Sequence, residues 1–148
     1  MIAGVTKSAL ISVGAATIVQ AGLDMIGSTY LNLFLRSNLI NIQIALLAVN
    51  SATMGIVLTK IRDLVDRASV SNAFTRTRAE MLLSIKEQMA LIGVSIFILS
   101  THDVANGWLP GNPFVFSVSL LAVFIYSMMI LYDIAKSVLL VVDFSPKG

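Results

Sequence analysis

Asp24 is the residue with the most chemistry within reach, because it interrupts an otherwise apolar run from about residue 9 to residue 35. A carboxyl group in hydrocarbon is costly, so it must face protein or trapped water. At helical spacing its face carries Thr17, Gln20, Ala21, Gly27 and Ser28, a small and polar stripe unsuited to lipid. Two chemistries fit such a face. It can be hydrogen-bonding glue inside a bundle or between copies, or it can wall a water-filled path in which Asp24 holds a cation or proton. In the next apolar run Ala45, Ala48, Ala52 and Gly55 recur at spacings of three and four, beside Ser51, with Asn50 at a depth similar to Asp24. Small residues let two helices approach closely. The spacing therefore predicts that the first two helices pack through these stripes, with Asn50 in hydrogen-bonding reach of Asp24. Thr17, Gln20, Asp24, Ser28 and Asn50 are the expected pore-lining or assembly residues, and Ala45, Ala48, Ala52 and Gly55 the expected helix-packing residues.

Other constellations are poorer. Asp133 and Lys136 stand three apart on one helical face and can pair with each other. Tyr132-Asp133 resembles half of the motif pair of intramembrane aspartyl proteases, but the Gly-x-Gly-Asp half is missing, since Gly22-Leu23-Asp24 lacks the second glycine and the order along the chain is reversed. A shared-proton dyad needs its carboxyls almost in contact, and Asp24 and Asp133 are expected at different depths. One His and no Cys leave no ligand set for an iron-sulfur cluster, a Cys-rich zinc site or a bis-His haem. His102 and Asp103 read as a polar pair in a loop, and no Gly-rich phosphate loop is present. Neither a cofactor, a metal nor an enzymatic activity is expected.

The elements that must position these residues follow from composition. Of 148 residues 57% are hydrophobic and 12% charged, about half the charge a soluble domain uses to cover its surface. Most of the apolar surface must face lipid. A net charge of only +2 gives no footprint for nucleic acid. A bilayer core about 30 Å thick needs roughly 20 helical residues, and four runs qualify, at about 9–35, 39–59, 81–101 and 114–140. The third has an uninterrupted apolar part of only about 89–100 and must borrow 81–88, with Lys86 and Glu87, to span. A signal-peptide reading of Lys7, the run behind it and Val19-Gln20-Ala21 is disfavoured because the apolar run continues past Ala21.

Direction follows from the basic residues, since short loops rich in Lys and Arg stay in the cytoplasm. Lys60, Arg62, Arg67, Arg76, Arg78 and Lys86 lie between the second and third runs, one Arg follows the first, and the 102–113 loop has none. The central segment and both termini are thus expected inside. Within that segment Ile61, Leu64, Val65 and Ala68 fall on one helical face, Asp63 and Arg67 are a favourable pair, and Thr77 and Glu80 have capping-box spacing. A helical hairpin over 60–88 is expected, with its turn at 69–72, either as a solvated connector near anionic headgroups or as a docking surface for a soluble partner. On the far side Asn112 and Pro113 read as N-cap and first residue of the fourth helix.

The expected fold is all-α: one domain, a polytopic integral protein of an inner or plasma membrane, with four transmembrane helices and a cytoplasmic hairpin between the second and third. The expected role is a non-enzymatic subunit that assembles, through its small-residue faces, with copies of itself or other chains of a membrane complex. The alternative is a homo-oligomeric channel or pore lined by Asp24 that permeabilises or depolarises the membrane, and a weaker one is an accessory subunit of a transporter.

Overall fold

The structure is a computed structural model that describes residues 2–68, 75–104 and 112–143. Four helices follow one another, α1 (Ile2–Met25), α2 (Tyr30–Ala68), α3 (Thr75–Val104) and α4 (Pro113–Asp143). Each contains a stretch long and apolar enough to span a membrane: Gly4–Met25, Tyr30–Lys60, Met81–Thr101 and Pro113–Lys136. The outside of the bundle suits lipid, since Ile18, Met25, Ile26, Ile56, Phe97 and Leu139 each leave at least 64% of their surface open. Water does not favour so much exposed hydrocarbon on a small protein.

The first turn is earlier than the hydrophobic pattern suggests. α1 ends at Met25, and the chain reverses through 26–29 instead of at Arg36-Ser37-Asn38. Gly27 adopts φ +66°, a conformation that costs a side-chain-bearing residue about 1–2 kcal/mol. The Gly27 amide donates to the Asp24 carbonyl at 3.2 Å and the Ser28 amide to the Leu23 carbonyl at 3.0 Å. This is a Schellman cap, which satisfies carbonyls that would otherwise be orphaned at the helix end. Arg36, Ser37 and Asn38 lie inside α2, where the Asn38 side chain donates to the Phe34 carbonyl at 3.0 Å and Leu35 and Leu39 on either side are fully buried. The other expected end holds. The Phe114 amide donates to the Asn112 carboxamide oxygen at 3.1 Å, so Asn112 caps α4.

α4 is the axis of the bundle. It packs against α1, α2 and α3, whereas among the described helices α1 packs on α4 alone and α2 and α3 also pack on each other. No charged residue occurs between Phe114 and Tyr132, so nearly the whole circumference of α4 can be buried. Leu120, Leu121 and Ala122 of α4 join Ala16 of α1 and Leu35 and Leu39 of α2 in one core cluster. Met54 and Val57 of α2 meet Met81 of α3 in a second. Among the described residues α1 and α2 share no packing interface, which corrects the expectation that their small-residue stripes meet. α1 instead turns Ser12, Ala16 and Gln20, spaced by four, inward.

α2 and α3 are longer than a crossing requires, about 58 and 45 Å at 1.5 Å per residue for 39 and 30 residues. Their far ends are helical to Ala68 and from Thr75. The expected hairpin turn at 69–72 lies outside the described residues.

Candidate functional site

Polar side chains inside a membrane bundle fix its geometry, because hydrocarbon offers them no alternative partner. Here they form a row through the interior, with Ser12, Gln20, Gln43, Asn50, Gln88, Ser95 and Ser127 all buried to 2% exposure or less. Asn50 of α2 donates through Nδ2 to Oε1 of Gln88 of α3 at 2.5 Å. Gln43, two turns away on α2, donates to the Ser127 hydroxyl of α4 at 3.3 Å, and that hydroxyl donates to the Val123 carbonyl at 2.9 Å. The Tyr126 hydroxyl donates to Glu87 of α3 at 3.3 Å. Ser12 of α1 approaches the Met129 sulfur at 3.3 Å. Polar contacts thus join α4 to each of its neighbours, and the carboxamide pair joins α2 to α3.

Of this row the sequence had singled out only Gln20 and Asn50. Gln43, Gln88, Glu87, Tyr126 and Ser127 were missed, although Gln43 and Asn50 on α2, and Gln88 and Ser95 on α3, are each seven apart. That spacing returns to the same helical face and is the signal that could have found them.

The five residues expected to act together are dispersed. Asn50 pairs with Gln88, not with Asp24. Thr17 is exposed and satisfies itself by donating to the Val13 carbonyl at 2.8 Å. Asp24 stands in the last turn of α1, near a helix end and not at mid-membrane; it is exposed and accepts from Gln20 Nε2 at 2.8 Å. Ser28 lies in the turn beyond, partly buried. Gln20 and Asp24 do share a feature, a cleft of about 370 Å³ between the end of α1 and the starts of α2 and α4, which Asn32, Arg36 and Ser117 also line.

The four small residues of α2 are all exposed. At about 100° per residue they point away from Gln43, Asn50, Met54 and Val57, the buried side of the same helix. A Cβ built on Gly55 meets nothing within 4 Å. Of the basic residues, Lys60, Arg62 and Lys86 are exposed at the end of the bundle where α2 and α3 leave the apolar zone; the side chains of Arg67, Arg76 and Arg78 lie outside the described residues. Among the described residues α1 and α3 share no packing interface, and an apolar crevice of about 300 Å³ opens between them over α4, lined by Ala9, Ser12, Ala90, Leu91 and Ala122 and by Glu87 and Tyr126. Among the described residues no group of three His, Cys, Asp or Glu could hold a metal ion. Comparison with protein-family models, with curated proteins and with solved structures finds no match to this chain.

Proposed function

We propose that the chain is a non-enzymatic, multi-pass membrane subunit that assembles into a larger complex through the outward face of α2. One observation carries this reading: Ala45, Ala48, Ala52 and Gly55 are exposed along about 15 Å of a helix whose opposite side is sealed into the core. Van der Waals contact between close backbones is the main attraction available to helices in lipid, and small side chains permit it. Among the described residues this face has no partner helix, so a second chain would be its natural cover. The hydroxyls flanking it are quiet: Thr53 donates to the Val49 carbonyl at 2.8 Å and Thr59 to the Gly55 carbonyl at 3.0 Å, so neither obstructs a close approach. Lys60, Arg62 and Lys86 are exposed at one end, and by the positive-inside rule we assign that end, with both termini, to the cytoplasm. A channel lined by Asp24 draws no support from the position of that residue at the end of α1.

The test is native mass spectrometry of the chain extracted from its own membrane, with Ala48→Leu and Gly55→Leu as variants. Wild type is expected as an oligomer or with companion chains. The double variant is expected to shift at least tenfold toward the single chain with its helicity unchanged, since neither side chain enters the core. A wild type that is a single chain, or a double variant that keeps its complex, would overturn the proposal.

A further inference from the structure

We infer that a second copy of this chain docks along the outer face of α3, with Lys86 of each copy paired to the partner's Glu87, a contact additional to the α2 face. Lys86 and Glu87 are five and six residues inside the apolar span that begins at Met81, about 8 and 9 Å deep at 1.5 Å per residue. Charges at that depth are costly unless paired. Neighbours in sequence point about 100° apart on a helix, so these two cannot pair with each other. Lys86 is exposed and Glu87 half-buried. Glu87 accepts from the Tyr126 hydroxyl through Oε2 at 3.3 Å, which leaves Oε1 for another donor, and Asp133 of α4 adds a like charge within electrostatic reach. α2 carries no charge between Leu39 and Thr59, and α1 lines the crevice beside Glu87 with Val5, Ala9, Ser12 and Val13. Among the described residues no cation pairs with Glu87 and no carboxylate with Lys86. A lysine stem can carry its ammonium back toward the headgroups; the shorter glutamate needs a cation at its own depth.

The face around Lys86 supplies the geometry. Lys86, Ala90, Gly93, Phe97 and Ser100 recur at spacings of four and three and are all exposed. This is the heptad pattern by which two helices pack side by side at a shallow crossing angle. Ala90 and Gly93 permit a close approach, and a Cβ built on Gly93 meets nothing within 4 Å. Insertion gives every copy the same direction across the bilayer, so two α3 helices meet in parallel, about a two-fold axis along the membrane normal. That operation sets one flank of the face against the opposite flank of its copy. Lys86 and Glu87 lie on opposite flanks of a line through Ala90, so Lys86 meets the partner's Glu87 with a height difference of only about 1.5 Å, and the pair forms twice. A second copy thus supplies both missing partners at once. Among the described helices α3 packs only on α2 and α4, so nothing in the bundle has to move to admit it.

The experiment places Ala90→Cys in the full chain, which has no other cysteine, and reads the yield of crosslinked dimer in phosphatidylcholine vesicles with a short bismaleimide. The cysteine background is expected to crosslink. Lys86→Glu and Glu87→Lys are each expected to lower the yield about tenfold, the scale of one close charge pair, with helicity by circular dichroism unchanged. Mixed in the same vesicles, the two are expected to recover the yield, since each then carries the charges that the other lacks. If Glu87→Lys loses its fold, Lys86→Gln and Lys86→Glu, on the exposed position, decide, with yield falling in that order. Ala48→Leu with Gly55→Leu is expected to leave this yield unchanged, which separates the contact from the α2 face. In detergent the two faces hold the extracted complex by avidity, so loss of either still releases single chains. No crosslinking in the cysteine background, equal yield in the charge variants, or no recovery by the folded pair in the mixture would overturn the inference. So would a yield lost with the α2 variants alone, which leaves the proposed function standing. Charge-sensitive capture of a companion chain without self-crosslinking would assign the face to that chain and overturn the pairing of copies.

Discussion

Replacing Asn50 tests whether the interior carboxamides hold the bundle together. Asn50 and Gln88 are 0% exposed and share one hydrogen bond of 2.5 Å, while Asn50 Oδ1 and Gln88 Nε2 have no partner. Asn50→Leu removes the bond and strands the whole Gln88 carboxamide. An interhelical bond in a membrane protein contributes roughly 0.6–1.7 kcal/mol, and a stranded buried amide costs about 1–3 kcal/mol. A loss of about 2 kcal/mol is expected, and Gln88→Met should cost about the same for the reciprocal reason. The double variant removes both stranded atoms along with the bond. It is expected within about 0.5 kcal/mol of wild type, because replacing both partners by apolar groups of similar shape is close to neutral. Reversible unfolding of the detergent-solubilised chain, followed by far-ultraviolet circular dichroism, measures all four corners of the cycle. The signature is a coupling of about 4 kcal/mol opposite in sign to the sum of the single losses. Additive losses in the double variant would refute the idea that these two groups matter chiefly to each other.

Two further outcomes follow from local geometry. Gly27→Ala should lower stability by about 1–2 kcal/mol through backbone strain alone, since φ is +66° and a Cβ there meets nothing within 4 Å; Gly27→Asn should cost less, and equal melting of all three proteins would contradict the turn. Tyr126→Phe leaves Glu87 without the donor at 3.3 Å and should cost about 1 kcal/mol in the same unfolding assay, with no change in helicity; an unshifted transition would show that the contact carries no weight.

The number and type of elements were legible from the length and charge pattern of the apolar runs, because a bilayer imposes both. The third span, built from 81–88 and the shorter apolar part behind it, is helical throughout, and Asn112 caps α4 as its position before Pro113 suggested. The first turn was not legible from hydropathy, which is blind to backbone handedness: apolar residues continue past Gly27, and Arg36-Ser37-Asn38 mimics a loop. Gly27 followed by Thr29 carried the correct signal as a helix end and a helix start. That displacement moved Asp24 from mid-span to a helix end and with it changed the meaning of the whole stripe. Partner choice was equally hidden. Four helices can be arranged in several ways with the same faces, and nothing in the hydrophobic pattern singled out α4 as the one that contacts the other three. The small face of α2 was found in the sequence, but not that it would point outward.

The centrality of α4 has a consequence for biosynthesis. Among the four described helices α1 leaves the ribosome first, and the only helix it touches emerges last. Until then Ser12 and Gln20 have only bonds within α1, to the Ser8 carbonyl and to Asp24, and lack the α4 surface that buries them, so α1 must wait beside α2 and α3 as a loosely held guest of the insertion machinery. Nascent chains arrested before α4 should therefore keep α1 open to crosslinking by lipid or chaperone, with closure arriving in a single late step.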